Sequence, residues 1–298
     1  MTSLVILLAT YLSCIIFIRI RNKTTFPLVR QLSDFSTFMV PINIPAYLFS
    51  KIPSKHFVST DYFPELKIIE DNWEIIRDEA LALYESGHIA AKDDLPASSF
   101  YKNNRWTSFY LKSYNHSIPS AYDLAPKTMA LIDQVPSMRL ALFACLNPGK
   151  KINNHHDPFA FTLRYSLGLS TPNSDESGII VNGDDYKWAD GDSILFDETY
   201  LHNAYNDSDR PRIILMTDIE RPLRLKLLQK FYRAFGSFFN GLFTIDNVDV
   251  NNTGIGNKLG QYLNIYKAFM KRFKRWNKPL YVTTKLLALA GLLYLVFI

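Results

Sequence analysis

RLALFACLNPGKKINNHHDPFAFTLRYSLGL, residues 139–169, sets two apolar runs on either side of a polar middle. Arg139–Leu146 and Phe159–Leu169 are short, β-rich and bounded by turn residues such as Asn147-Pro148-Gly149, which is how strands read. Working outward, Gly178–Val181, Ser193–Phe196 and Arg212–Ile219 repeat the pattern, with Thr171-Pro172-Asn173 and Asn182-Gly183-Asp184-Asp185 as punctuation. Many short strands at this spacing imply a mainly β domain, built as a sandwich, jelly roll or barrel. No internal repeat or low-complexity tract interrupts it.

Upstream, Pro64–Glu85 reads as a helix, with Leu66, Ile69, Trp73, Ile76, Leu81 and Leu83 roughly on one face. Residues 22–60 mix Pro, aromatic and aliphatic residues without periodicity and read as a membrane-proximal connector. The chain has 298 residues, enough for one domain of about 150–200 residues plus appendages. Its two cysteines, Cys14 and Cys145, belong to no CxxC or Cys/His cluster, which argues against a disulfide framework or a thiolate zinc site.

Both ends are apolar and flanked by positive charge. Leu4–Ile18 is followed at once by Arg19, Arg21 and Lys23, the reverse of a signal peptide's order. Leu286–Ile298 is uncharged, and Lys267, Lys271, Arg272, Lys274, Arg275 and Lys278 precede it. The positive-inside rule places both basic clusters in the cytoplasm. The expectation is a membrane helix over residues 1–21, a C-terminal membrane segment over 279–298, and a catalytic domain facing the cytoplasm. Between Leu259 and Phe273, apolar residues recur at helical spacing opposite Lys267, Lys271 and Lys274. A basic amphipathic region over 223–278 suits an anionic lipid surface or, equally, a packed helix with a solvated basic face. No nucleic-acid-binding pattern is present, so the net charge of +5 points to membrane lipid.

The chemistry centres on Asn153-Asn154-His155-His156-Asp157-Pro158. In a strand, His155 and Asp157 would share a face and His156 would point away. His202, from a distant strand, completes two imidazoles and a carboxylate. That is the facial arrangement of non-haem iron(II) oxygenases, with three positions left open. A 2-oxoglutarate cosubstrate chelates such a metal and needs a fixed cation for its far carboxylate. Arg212, at the start of the next apolar strand, suits that role. Arg164 lies inside the apolar run, where an unpaired charge is costly. It reads as a second cosubstrate contact, or as a structural ion pair with Asp197 or Asp218. His156 reads as exposed filler, or else as a group supporting the site or touching substrate. His56, His88 and His116 have no partners at metal-binding spacing.

From Tyr62 to Pro222 the ordered set Asn72-Trp73, Pro148-Gly149, His155, Leu163-Arg164, Leu167-Gly168-Leu169, Trp188, Gly191, Phe196-Asp197, His202, Arg212 and Asp218 resembles the aspartyl/asparaginyl β-hydroxylase family. Within it, the bacterial lipid A hydroxylase branch is the most similar. The resemblance implies a double-stranded β-helix (jelly-roll, cupin-like) domain over 61–222, with flanking helices and terminal membrane segments. It implies His155 and His202 as Fe(2+) ligands, and Arg212 and Arg164 as 2-oxoglutarate contacts. Asp157, where the protein-modifying animal members have Gly, fits the lipid A branch as the third ligand; otherwise it supports the site while water ligates. The implied reaction uses O2 to hydroxylate carbon 2 of a secondary acyl chain of lipid A at the bacterial inner membrane, giving succinate and CO2. Three rival readings remain. An aspartyl/asparaginyl hydroxylase of proteins would share the iron site. A metal-free membrane-associated β-barrel binding module would need neither Asp157 nor Arg212, and a metal-assisted hydrolase would have no use for Arg212.

Overall fold

Eight strands pair as one long hairpin closed upon itself. The computed structural model describes residues 2–90, 105–114, 116–242, 247 and 255–297. Strands β3 (Met138–Leu146), β4 (Lys150–His155), β5 (Thr162–Ser170) and β6 (Ser177–Val181) run out. Strands β7 (Asp184–Lys187), β8 (Ser193–Phe196), β9 (His202–Asn206) and β10 (Arg212–Glu220) run back. β3 pairs with β10, β4 with β9, β5 with β8 and β6 with β7, all antiparallel. Folding this ladder alternately into two sheets gives a jelly roll. The larger sheet has the order β2-β1-β3-β10-β5-β8 and the smaller β4-β9-β6-β7, with β1 at Trp106–Ser113 and β2 at His116–Ser117.

The two sheets face different surroundings, and their sequences differ accordingly. The larger sheet carries helices on its outer face: α4 (Lys67–Glu70), α5 (Trp73–Glu85), α6 (Pro119–Leu124) and α7 (Pro126–Ile132). Ile69, Ile76, Leu83, Met129 and Ile132 share one core with Phe109, Phe143 and Leu167. A sheet covered on both faces needs near-continuous apolar runs, as in β3 and β5. The smaller sheet is solvated outside. Gly168 is required by a close approach: a Cβ there would lie 2.1 Å from the Ala189 carbonyl oxygen.

The expected helix over Pro64–Glu85 is broken at Asp71-Asn72, where the Asn72 amide donates to the Ile68 carbonyl. Ala80, not Leu81, shares the fully buried face of α5 with Ile76 and Leu83. The connector over 22–60 is largely helical instead, with α2 (Leu28–Gln31) and α3 (Phe35–Leu48). Pro41 and Pro45 lie inside α3 and remove two of its donors. α1 (Thr2–Arg21) packs through Cys14 and Ile18 on Val40 of α3. C-terminal to the sandwich lie α8 (Lys226–Gly241), α9 (Ile255–Trp276) and α10 (Lys278–Phe297).

Among the described residues no helix is long and apolar enough to cross a membrane. The segments expected to enter a membrane, over 1–21 and 279–298, coincide with α1 and α10, and each lies partly outside the described residues. α1 commits one face to α3, and its last residue, Arg21, reaches the sandwich to pair with buried Asp197 at 2.7 Å. Most side chains from Leu286 onward lie outside the described residues, as do those of Leu259, Leu263 and Lys267. In α9, Tyr262, Ile265, Tyr266 and Phe269 are exposed, so they do not pack on the catalytic domain.

Candidate active site

His155 and His202 are directly opposed across β4 and β9. The register slips between Ile152, which opposes Ala204, and His155. The extra residue of this bulge reverses the inside–outside alternation and turns His155 toward the interior with Ile152. Without it Asn154 would oppose His202. The ring centroids of His155 and His202 are 4.1 Å apart.

Asp157 joins them by a route different from strand alternation. β4 ends at His155, and the Asp157 amide instead donates to the Glu198 carbonyl at 2.9 Å. Ligating atoms of His155, Asp157 and His202 lie within 4.8 Å of one another. His155 Nδ1 donates to the Asn153 carbonyl and His202 Nδ1 to the Tyr200 carbonyl, each at 2.8 Å. Both imidazoles are thereby oriented with Nε2 as the nitrogen available for ligation. Burial, aided by nearby His155, pushes His202 down to about 3, so it stays neutral. Burial alone would raise Asp157, but Arg164 and the two imidazoles outweigh it and hold the carboxyl at about 2. Two imidazoles and one carboxylate, converging on one point, can hold a divalent iron and leave coordination positions open.

Arg164 is held by protein carboxylates. It bonds Asp157 Oδ2 at 3.1 Å and Asp218 Oδ1 at 2.8 Å, and it contacts Glu198. The ion-pair alternative with Asp218 is what the structure contains, because Arg164 and Asp218 are register partners on β5 and β10. Asp197 is paired elsewhere, with Arg21 and Arg221. Three carboxylates around one guanidinium leave excess negative charge, and burial raises Glu198 well above the ordinary range and raises Asp218 also. Sequence reading missed Glu198. The signal was available: two adjacent acids, Asp197-Glu198, follow the apolar run Ser193–Phe196 and precede His202.

Arg212 differs from Arg164. It is buried, its guanidinium lies 5.1 Å from the centroid of the Trp188 ring, and among the described residues it makes no ion pair. Its Nε has no hydrogen-bond partner. Burial lowers it to about 10. A cavity of ≈ 210 Å³ is lined by His155, Asp157, Arg164, His202 and Arg212 together with Trp106, Leu140, Leu142, Ile152, Ile179 and Met216. All five expected site residues therefore face one mostly apolar space.

His156 is buried rather than exposed: its Nδ1 donates to the Thr199 carbonyl at 2.8 Å, and its ring meets Phe26 edge-on. The N-terminal helices also grip the metal-site loop. Buried Asn43 of α3 donates to the Pro158 carbonyl and accepts from the Ala160 amide, both at 2.9 Å. Arg30 donates to the Asn154 carbonyl at 3.2 Å.

Residues 70–222, just over half the chain, match the family model of aspartyl/asparaginyl beta-hydroxylases. An ornithine lipid ester-linked acyl 2-hydroxylase of Rhizobium tropici is 27% identical over 59% of this chain and 64% of its own length. Human aspartate beta-hydroxylase domain-containing protein 2 is 27% identical over 58% of this chain and 47% of its own. The match thus spans less than two thirds of either relative. A solved 2OG-Fe(II) oxygenase-family structure from Burkholderia pseudomallei aligns with TM-score 0.30 and 12% identity, over 41% of this chain and 71% of that one.

Proposed function

The chain belongs to the aspartyl/asparaginyl β-hydroxylase family, and from that premise we propose that it is an Fe(II)- and 2-oxoglutarate-dependent dioxygenase hydroxylating carbon 2 of a lipid acyl chain. The observation that carries the reading is Arg212, a buried cation with no ion pair among the described residues, in the same cavity as the His155–Asp157–His202 cluster. A buried unpaired charge is costly. A dicarboxylate whose far end pairs with the guanidinium would remove that cost and fix the cosubstrate's direction. His155, Asp157 and His202 would hold the iron, which when bound would supply oxygen activation coupled to oxidative decarboxylation of 2-oxoglutarate. Arg164 then serves the site by holding Asp157 in place rather than by touching cosubstrate. The apolar walls, Leu140, Leu142, Ile152 and Met216 among them, suit an acyl chain better than a carboxylate or amide side chain, and they keep water from the reacting carbon.

The substrate we favour is a secondary acyl chain of lipid A at the cytoplasmic face of a bacterial inner membrane. The acid-free N-terminal 33 residues and the basic 221–278 region support an anionic lipid. An ornithine lipid is the second reading, favoured by the name of the Rhizobium relative. The test is mass analysis of lipid A and ornithine lipids from a Gram-negative host that makes both without 2-hydroxyl groups, expressing wild type or His202→Ala. One added oxygen at carbon 2, absent in the variant, identifies chemistry and lipid together. No change in either lipid, with iron-loaded protein in the membrane fraction, sinks the lipid reading and points to protein substrates.

A further inference from the structure

α1, α3 and α8 form a continuous layer against the metal-site end of the sandwich. α3 is its centre: it packs on α1 through Val40, and its Ile42 carbonyl accepts from Tyr232 of α8 at 2.6 Å. Tyr232 and Phe235 of α8 pack against Phe161 and Phe159, which closely follow Asp157. The inner face of α8 is therefore fully used. Its outer face is not. Leu227, Phe231 and Phe238 are 81%, 54% and 65% exposed and recur at helical spacing with Ala234. α1 does the same, exposing Val5, Leu8, Leu12 and Ile16 along one stripe. On α3, Phe35 and Phe38 are exposed, and Phe38 lies against Tyr11 of α1.

Charge identifies what covers these stripes. α8 contains no acidic residue, and neither do residues 1–33. Exposed Arg224, Lys226 and Lys230 flank the α8 stripe, and exposed Arg19 the end of the α1 stripe. Asp34 is engaged in capping α3 through the Ser36 amide. Arg233 of α8 is paired with Glu220 at 2.7 Å, so the unpaired charge beside the stripes is basic. Apolar stripes with such a rim match an anionic bilayer interface, where aromatic and aliphatic side chains enter the headgroup boundary and basic groups meet lipid phosphate. A second protein would have to supply a matching apolar face and an acidic rim together.

We propose that the outer face of the α1–α3–α8 layer is a seat lying in the plane of an anionic bilayer, so that the bilayer rather than a protein partner covers it. The inference deepens the lipid-substrate reading, which it shares only in placing the protein on a membrane. The seat and the iron loop are one unit, because Asn43 of α3 holds the backbone that follows Asp157 and Arg30 of the adjoining α2 holds the backbone before His155.

The experiment uses full-length protein carrying an environment-sensitive label at Phe238→Cys, Leu12→Cys or, as control, exposed Lys151→Cys. The protein is added to phosphatidylcholine vesicles with and without phosphatidylglycerol, and brominated lipids report depth. The expected result is shallow quenching at 12 and 238, none at 151, and dependence on phosphatidylglycerol. The double variant Leu227→Asp/Phe231→Asp should lower vesicle partitioning by about tenfold or more. Water exposure at 238 while the protein floats with vesicles would overturn the seat, as would deep, midplane quenching at 12. No readout requires turnover. Failure of hydroxylation with shallow quenching sinks the substrate reading alone, and lipid hydroxylation with a water-exposed label at 238 sinks the seat alone.

Discussion

Replacing Arg212 with Met keeps an unbranched apolar stem and removes the guanidinium charge, and the structure sets opposite signs for stability and cosubstrate binding. Burial lowers the guanidinium by more than two pH units, to about 10. At about 1.4 kcal/mol per pH unit, that is about 3 kcal/mol borne by the folded state. The Trp188 ring returns about 1 kcal/mol of it. Arg212→Met should therefore stabilise the metal-free protein by about 2 kcal/mol, raising the thermal midpoint of a domain this size by roughly 4–8 °C. Loss of a bidentate charged pair, about 3 kcal/mol, should weaken 2-oxoglutarate binding by about 10²-fold. Urea unfolding of both proteins, with and without Mn(II) and 2-oxoglutarate, measures the two effects together. The cosubstrate should stabilise wild type alone. A variant less stable than wild type in its absence would show that Arg212 has a structural anion, and equal stabilisation of both proteins would remove Arg212 from the cosubstrate site.

Arg164→Met should behave oppositely, destabilising the fold by about 3–5 kcal/mol because Asp157, Glu198 and Asp218 lose their shared cation; urea curves matching those of Arg212→Met would refute the contrast. Asn43→Ala, which strands the Pro158 carbonyl and the Ala160 amide, should cost about 2–3 kcal/mol and weaken Mn(II) binding about tenfold, and an unchanged calorimetric Kd would remove Asn43 from metal-site positioning. Because His202 titrates near 3 when folded and near 6.5 when unfolded, the unfolded chain takes up the proton first. Stability of the metal-free protein should be fully present above about pH 6.5 and decline toward pH 3 by up to about 1.4 kcal/mol per pH unit, and His202→Gln should flatten urea midpoints measured between pH 7 and 5.

The strand pattern and the two histidines were legible in the sequence because apolar runs separated by turn residues identify a β sandwich, and because a distant His in such a context can complete a facial set. How Asp157 arrives was not legible. Strand parity suggested it, but His155 is turned inward by a bulge at Asn153-Asn154, which no periodicity encodes, and Asp157 lies beyond the strand. The need for a counter-ion at Arg164 could be read from its apolar run. Choosing Asp218 over Asp197 required the β5–β10 register. α3 escaped notice because its mix of Pro41, Pro45, aromatic and aliphatic residues shows no periodicity, although its buried polar residues include the Asn43 that holds the site loop.

The two arginines also orient the cavity. Arg212, Met216 and Asp218 have the same parity on β10 and so share its inner face. Six residues of strand separate Arg212 from Asp218, about 20 Å. The free cation thus lies at one end of the face, and the compensated cluster of Arg164, Asp218 and Glu198 at the other. Asp157, bonded to Arg164, belongs near the compensated end. A dicarboxylate held by both the iron and Arg212 would fill the space toward the start of β10. An acyl chain reaching the same iron would then have to come from the other side, past Leu140 and Met216. That is the end where α8 packs, with Gly236 so close that a Cβ would lie 3.0 Å from the Tyr114 ring. On the proposed reading, a chain leaving a bilayer beside α8 would approach the metal site from the end opposite Arg212, past Leu140 and Met216.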